Sequence, residues 1–261
     1  QRLPTLNPSH LVGGIAYHDG QFDDARLAIN LAQTATKFGA AVANYVGCID
    51  LIKQDGQVVG IRAQDSETRD VFDIPAKTVI NATGVFVDAL RQIDNPNESS
   101  IVSPSQGVHL VLPRKFLPGD DALLVPKTDD GRILFAVPWH GRVVLGTTDT
   151  PITQIFLEPR ALPEETDLIL KHAAQYLAQA PSPRDVLSVY AGLRPLVRSG
   201  KTHKTATLSR DHQILVSASG LITITGGKWT TYRKMAEDVV NQAERVGHLK
   251  QLSCHTQTLQ I

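Results

Sequence analysis

Cysteine is scarce in this chain. Cys48 and Cys254 are the only two, far apart and without a second pair, which argues against a disulfide framework and against a cysteine-built zinc site. Long apolar runs are missing as well: no window approaches the ~18 residues that a membrane-spanning helix needs. Charge of one sign is not in excess. Lys plus Arg is 26 and Asp plus Glu is 26, giving a formal net charge of zero, so no global field draws in nucleic acid, although a local basic patch stays open. The first residues, Gln1-Arg2-Leu3-Pro4, have neither an initiator Met nor a signal-peptide pattern. Met235 is the single methionine, and the chain is expected to be a piece of something longer. Internal repeats, a Gly-x-Ser-x-Gly elbow and metal-spaced histidines are also absent, so neither a serine hydrolase nor a metal centre is expected.

What is present suits a globular protein. The chain has 261 residues with 42% apolar and 20% charged side chains, enough for one large domain or two modest ones. Asp23-Asp24 caps an apolar stripe at Ala25, Ala28, Ile29, Ala32 and Ala35, and Gly39 closes it, which predicts a helix. Runs at 41–45, 48–53, 58–63 and 70–74 predict a strand and then a small antiparallel meander, with Asp55-Gly56 as a two-residue hairpin turn. A short strand over 77–81 and a helix over 86–92 follow. The polar stretch Asp94-Asn95-Pro96-Asn97-Glu98-Ser99-Ser100 marks a domain boundary.

Beyond the boundary, strands are expected at 107–112, 122–125, 132–137 and 142–146, then at 186–191, 205–209, 213–217 and 221–225. Pro163-Glu164-Glu165 opens a helix with Leu170, Ala173, Ala174 and Leu177 on one face. Another helix carries Tyr232, Met235, Ala236, Val239, Val240 and Ala243. The second half has too few crossover helices for a parallel sheet, so an α+β layer is the expectation there.

Four constellations could carry chemistry. A strand enters Gly226-Gly227 and leaves through Lys228, Trp229, Thr230 and Thr231 into a helix, where close backbone approach, free N–H groups and a cation together suit an anion. A tight turn with an ordinary threonine cap explains the same pattern. Arg194, at a strand end before Pro195, is a rigid fork for phosphate or carboxylate, and Lys201, His203, Lys204 and Arg210 extend the basic theme. A solvated basic loop is the plain alternative. Asn81-Ala82-Thr83-Gly84 ends a strand in small residues, which brings backbone near a cofactor or serves close packing. His109 begins an alternating strand after Ser105-Gln106-Gly107 and is either an acid–base group or a structural histidine.

Taken together, these segments resemble the FAD-dependent glycerol-3-phosphate dehydrogenases, in particular the respiratory, mitochondrial-type branch. The residues that carry the resemblance run from about Gly13 to Gln242. They include Tyr17-His18-Asp19-Gly20-Gln21-Phe22-Asp23-Asp24-Ala25-Arg26, Asn81-Ala82-Thr83-Gly84, Gly107-Val108-His109 and Gly146-Thr147-Thr148-Asp149-Thr150. Gly192-Leu193-Arg194-Pro195-Leu196 and Gly226-Gly227-Lys228-Trp229-Thr230-Thr231-Tyr232-Arg233 complete the set. The family's opening Gly-x-Gly-x-x-Gly turn is absent, and Val85 stands where the family usually has proline.

The resemblance implies a D-amino-acid-oxidase-like flavoprotein fold, α/β plus α+β. It comprises part of a Rossmann-like FAD domain at 1–95, a mostly antiparallel substrate domain at 101–225, a helix returning to the FAD domain at 226–247, and a tail at 248–261. It further implies oxidation of sn-glycerol 3-phosphate to dihydroxyacetone phosphate, with hydride passing to FAD and electrons to quinone. His109 and Arg210 are then the catalytic residues. Arg194, Lys228 and Thr230 bind the substrate, and Asn81, Ala82, Thr83, Gly84, Gly226, Gly227, Lys228 and Trp229 face the cofactor. No metal and no nucleic acid are expected. The full-length protein would be associated with the mitochondrial inner membrane or the bacterial cytoplasmic membrane. The piece alone would be soluble, inactive and weak in holding FAD. An amine or amino-acid oxidoreductase of the same fold is the alternative enzyme, with an arginine pair for a carboxylate, and a non-catalytic phosphometabolite-binding module is the alternative outside enzymes.

Overall fold

The computed structural model describes residues 3–9, 11–126, 128, 131–198 and 211–261. The chain divides into two compact units. Among the described residues, the first holds 3–16 and 103–196, and the second holds 17–102, 197–198 and 211–261.

The first unit is built on a mostly antiparallel sheet. Its strands are β5 (Val102–Pro113), β6 (Leu123–Val125), β7 (Leu134–Trp139), β8 (Arg142–Gly146), β9 (Thr150–Pro151) and β10 (Ser188–Val197). Their order is β10-β5-β8-β7-β6, with β9 pairing β5. The pairs β5–β8, β7–β8 and β6–β7 are all antiparallel. Alternation along β5 turns Val108, Leu110 and Leu112 into the core, each with no exposed surface. Val143 and Leu145 of β8 join them, as do Ile169, Leu170, Ala173 and Leu177 from the helical segment α3 (Pro163–Tyr176) and its C-cap. The predicted stripe is therefore rotated: Ala174 is exposed and Ile169 is buried. The same alternation sends His109 to the face of the sheet away from this core.

The second unit contains α1 (Asp24–Lys37), a meander β1 (Val46–Gln54), β2 (Gln57–Asp65) and β3 (Val71–Pro75), and α2 (Val87–Asp94). It also contains a separate sheet ordered β11-β12-β4, from His212–Val216, Ile222–Gly226 and Ile80–Asn81, and a final helix α4 (Tyr232–Val246). The Asp55-Gly56 hairpin forms as expected, with both residues at positive φ (51° and 78°), and it closes the pair Gln54–Gln57. Asp23 caps α1 by accepting from the Arg26 N–H at 2.9 Å, yet no residue of α1 is buried.

Two expectations fail here. Residues 41–45 form no strand, because β1 begins only at Val46 after irregular chain. On α4 the buried residues are Val239 and Ala243, with Met235 and Val246 packed beside them against Ile222 and Ile224. Ala236 and Val240 point outward, because a narrow 3.6-residue stripe suffices to cover one strand. The strand expected at 205–209 lies outside the described residues.

Candidate active site

In the first unit the expected substrate residues sit on neighbouring strands. His109 of β5 is cross-strand partner to Gly146 of β8, and its ring lies directly over that glycine. A Cβ at Gly146 would come within 2.5 Å of His109 Cδ2. On the other side the imidazole stacks on Tyr190 of β10, with ring centroids 5.0 Å apart and planes 12° apart. Burial and, next, the positive charge of Arg194 push the His109 pKa down to about 4. The ring is therefore neutral, and able to accept a proton, at physiological pH.

Arg194 of β10 lies across Gly107 of β5. A Cβ at Gly107 would fall 2.6 Å from Arg194 Cζ, so only glycine leaves room for the flat guanidinium. Arg194 Nη1 donates to the Thr148 carbonyl at 3.1 Å, and Nη2 donates to Thr147 Oγ1 at 3.0 Å. The Asp149 carboxylate stands 3.7 Å from Nη1, and Ser105 Oγ donates to that carboxylate. The Arg194 side chain retains 33% of its accessible surface, so an anion can reach it from solvent. Two glycines and the Gly146–Asp149 turn thus build a bed for one neutral base and one cation. The sequence reading named the base and the cation but not the bed. A glycine inside a strand signals such a close approach, and Gly107 was there to be used.

Beneath the bed lies a second feature that the sequence reading missed. Glu165, in the first turn of α3, is only 2% exposed. Its carboxylate accepts from Gln106 Nε2 at 2.7 Å, from the Leu162 N–H at 2.9 Å and from Thr148 Oγ1 at 3.0 Å. Burial pushes its pKa up, but hydrogen bonds from Thr150, the Leu162 N–H, Gln106 and Thr148 together hold it below the usual glutamate value.

The second unit holds the residues expected to face the cofactor. Asn81 is completely buried, and its amide is spent inside the protein: Nδ2 donates to the Val87 carbonyl at 2.9 Å and to Thr223 Oγ1 at 3.3 Å, while Oδ1 accepts from Thr83 Oγ1 at 2.7 Å. Asn81 therefore shapes the loop rather than offering its own side chain. Ala82 and Thr83 after it are exposed, and Gly84 has φ of 62°.

At the other strand end, Gly226 and Gly227 both take positive φ (76° and 74°). A Cβ there would meet the Asp211 carbonyl at 2.6 Å and Met235 Sδ at 2.5 Å, respectively. Lys228, Trp229 and Thr230 are exposed beyond them. Thr231 is occupied by the turn itself, since its Oγ1 accepts the Lys228 N–H at 3.2 Å and donates to the Lys228 carbonyl at 3.0 Å. Arg210 lies outside the described residues.

The second unit fits a polar organic cofactor on one further observation. Thr225 Oγ1, on a residue 3% exposed, has no hydrogen-bond partner. Among the described residues only Thr78 shares that condition. Thr225 shares a strand face with Thr223, the partner of Asn81, and it directly precedes Gly226. A buried hydroxyl left over beside a glycine turn is a polar group that a bound ligand can satisfy. Among the described residues no cluster of His, Cys, Asp and Glu could hold a metal. No helix among the described residues is long and apolar enough to cross a membrane.

Known proteins resemble this chain over most of its length. Mitochondrial glycerol-3-phosphate dehydrogenase of Homo sapiens is 44% identical over 258 residues, covering 96% of this chain and 35% of the human protein. The glycerol-3-phosphate dehydrogenase from Bacillus halodurans, solved in complex with FAD, superposes with a TM-score of 0.86 at 36% identity, covering 96% of this chain and 48% of that one. Glycine oxidase from Bacillus cereus shares the fold at a TM-score of 0.58 and 18% identity. The chain thus spans about a third of the length of the human relative. The family profile described as FAD dependent oxidoreductase matches residues 1–233, and the chain belongs to that family.

Proposed function

We propose that this chain supplies the substrate-handling sheet and part of the cofactor wall of an enzyme that oxidises sn-glycerol 3-phosphate to dihydroxyacetone phosphate. The observation that carries the reading is the pairing of a neutral His109 with Arg194 over two glycines in one unit. The first group suits removal of a proton from a secondary alcohol, and the second suits a phosphate. Bound FAD supplies the two-electron acceptor for the hydride from C2. Asn81 to Gly84 and Gly226 to Trp229 are the residues that would hold it.

His109 accepts the C2 hydroxyl proton. The charge of Arg194, which makes the imidazolium costly, also helps it to release that proton afterwards. Arg194 grips the phosphate, and Lys228 and Thr230 are assigned to the same substrate by their place in the Gly-Gly-Lys motif. Arg210 is assigned to the alcohol oxygen, where a cation stabilises developing negative charge. Quinone is the proposed final electron acceptor, and the proposed location is the mitochondrial inner membrane or the bacterial cytoplasmic membrane, in keeping with the mitochondrial names of the relatives.

The test is anaerobic mixing of the full-length, FAD-loaded protein with glycerol 3-phosphate, glycine or sarcosine. Bleaching of the flavin bands by glycerol 3-phosphate alone is expected. Bleaching only by the amines would assign the chain to the amine-oxidising branch of the fold, and bleaching by none would leave a binding module.

A further inference from the structure

Glu165 makes more bonds than its place in a helix explains. A glutamate at the third position of a helix commonly reaches back to the N-cap N–H, and Glu165 does so through Leu162. Such a residue ordinarily lies at the surface, whereas Glu165 is 2% exposed. Its bonds to Gln106 and Thr148 leave the helix altogether. Gln106 Nε2, at 2.7 Å, belongs to the residue before Gly107, which floors the Arg194 guanidinium. Thr148 Oγ1, at 3.0 Å, belongs to the residue whose carbonyl receives Arg194 Nη1. Thr148 is itself fully buried, and its hydroxyl accepts the Val108 N–H at 3.0 Å. One carboxylate therefore ties together the strand under Arg194 and the turn that Arg194 donates to.

We propose that Glu165 is a positioning residue for the phosphate end of the substrate, acting through Thr148 and Gln106 to fix the direction of the Arg194 fork. This rests on the reading of Arg194 as a phosphate ligand. Burying a carboxylate among neutral donors is costly unless each lone-pair direction is used, and the groups that use them here flank Arg194. A fork that is free to swivel still attracts a phosphate but no longer meets two of its oxygens at once. Loss of Glu165 should thus weaken substrate binding more than it slows the chemical step.

The experiment is a double-mutant cycle in the full-length, FAD-loaded protein, with steady-state kinetics on glycerol 3-phosphate. Glu165→Gln keeps the shape of the side chain. It is expected to raise KM about tenfold, the loss typical of a charge-assisted hydrogen bond, with kcat within about twofold and the flavin spectrum unchanged. In an Arg194→Lys background, where no fork remains to be aimed, Glu165→Gln should change KM by less than about twofold. An equal rise in both backgrounds, or a fall in kcat at constant KM, would overturn the proposal and leave Glu165 as a helix cap. If Arg194→Lys alone leaves KM unchanged, the phosphate reading fails, and this proposal with it. Should Glu165→Gln fail to retain FAD, Thr148→Val, which breaks the hydroxyl link to Glu165 together with the bond from the Val108 N–H, carries the same prediction.

Discussion

The two units solve different problems with different parts of the residue. In the first, the residues proposed to carry the chemistry, His109 and Arg194, act through their side chains, and two glycines let those side chains lie flat on backbone. In the second, the positions expected to meet the cofactor are mostly backbone. Asn81 and Thr231 spend their polar groups on holding turns, and Gly226 and Gly227 are required by their own φ and their own neighbours. A reacting centre must be placed to within a fraction of an ångström, which needs groups pinned from several sides. A large cofactor is held by many weak contacts and tolerates a wall made of main chain.

The sharpest way to break this contrast is at Gly107. Gly107→Ala places a methyl group against the guanidinium, the far end of a flexible side chain, so the sheet should survive while Arg194 swings aside. A loss of about 100-fold in kcat/KM is expected, with the flavin spectrum and FAD content unchanged. Loss of FAD along with activity would show that the first unit is not separable in this way.

His109 gives an effect at least as large. With its pKa near 4, it stays unprotonated through mildly acid conditions. His109→Asn should lower kcat by about 10²–10⁴-fold, the range for a general base. In the unmutated protein, any acid limb of kcat/KM due to His109 should lie nearer pH 4 than the 6.5 of an ordinary histidine. A limb near 6.5 would mean that the imidazole is solvated.

Much of the scaffold was legible because its signals are local. The Asp55-Gly56 hairpin needs positive φ at two adjacent residues, and the α1 start needs a side-chain acceptor at Asp23, and both are written in a few letters. His109 and Arg194 stood out because their chemistry is rare on a strand. Glu165 did not, because a glutamate three residues after a helix start reads as a cap, and its bonds to Gln106 and Thr148 connect positions 59 and 17 residues away. Residues 41–45 were misread because apolar composition alone does not supply a pairing partner.

The smallest expected effect concerns stability. The folded His109 pKa lies below its unfolded value, so the unfolded chain binds the proton more readily, and the native state loses stability as pH falls from about 6.5 towards 4. His109→Asn should remove that contribution, lessening the drop in Tm between pH 7 and pH 5 by about 2–4 °C. An unchanged pH dependence would place the titration elsewhere.

The division between a side-chain site and a main-chain wall is tested most directly by measuring two affinities in one variant. In full-length Arg194→Lys protein, the account predicts that KM for glycerol 3-phosphate rises at least about tenfold while the Kd for FAD stays within about twofold of the unmutated protein. A parallel loss of FAD affinity, or an unchanged KM, would contradict it.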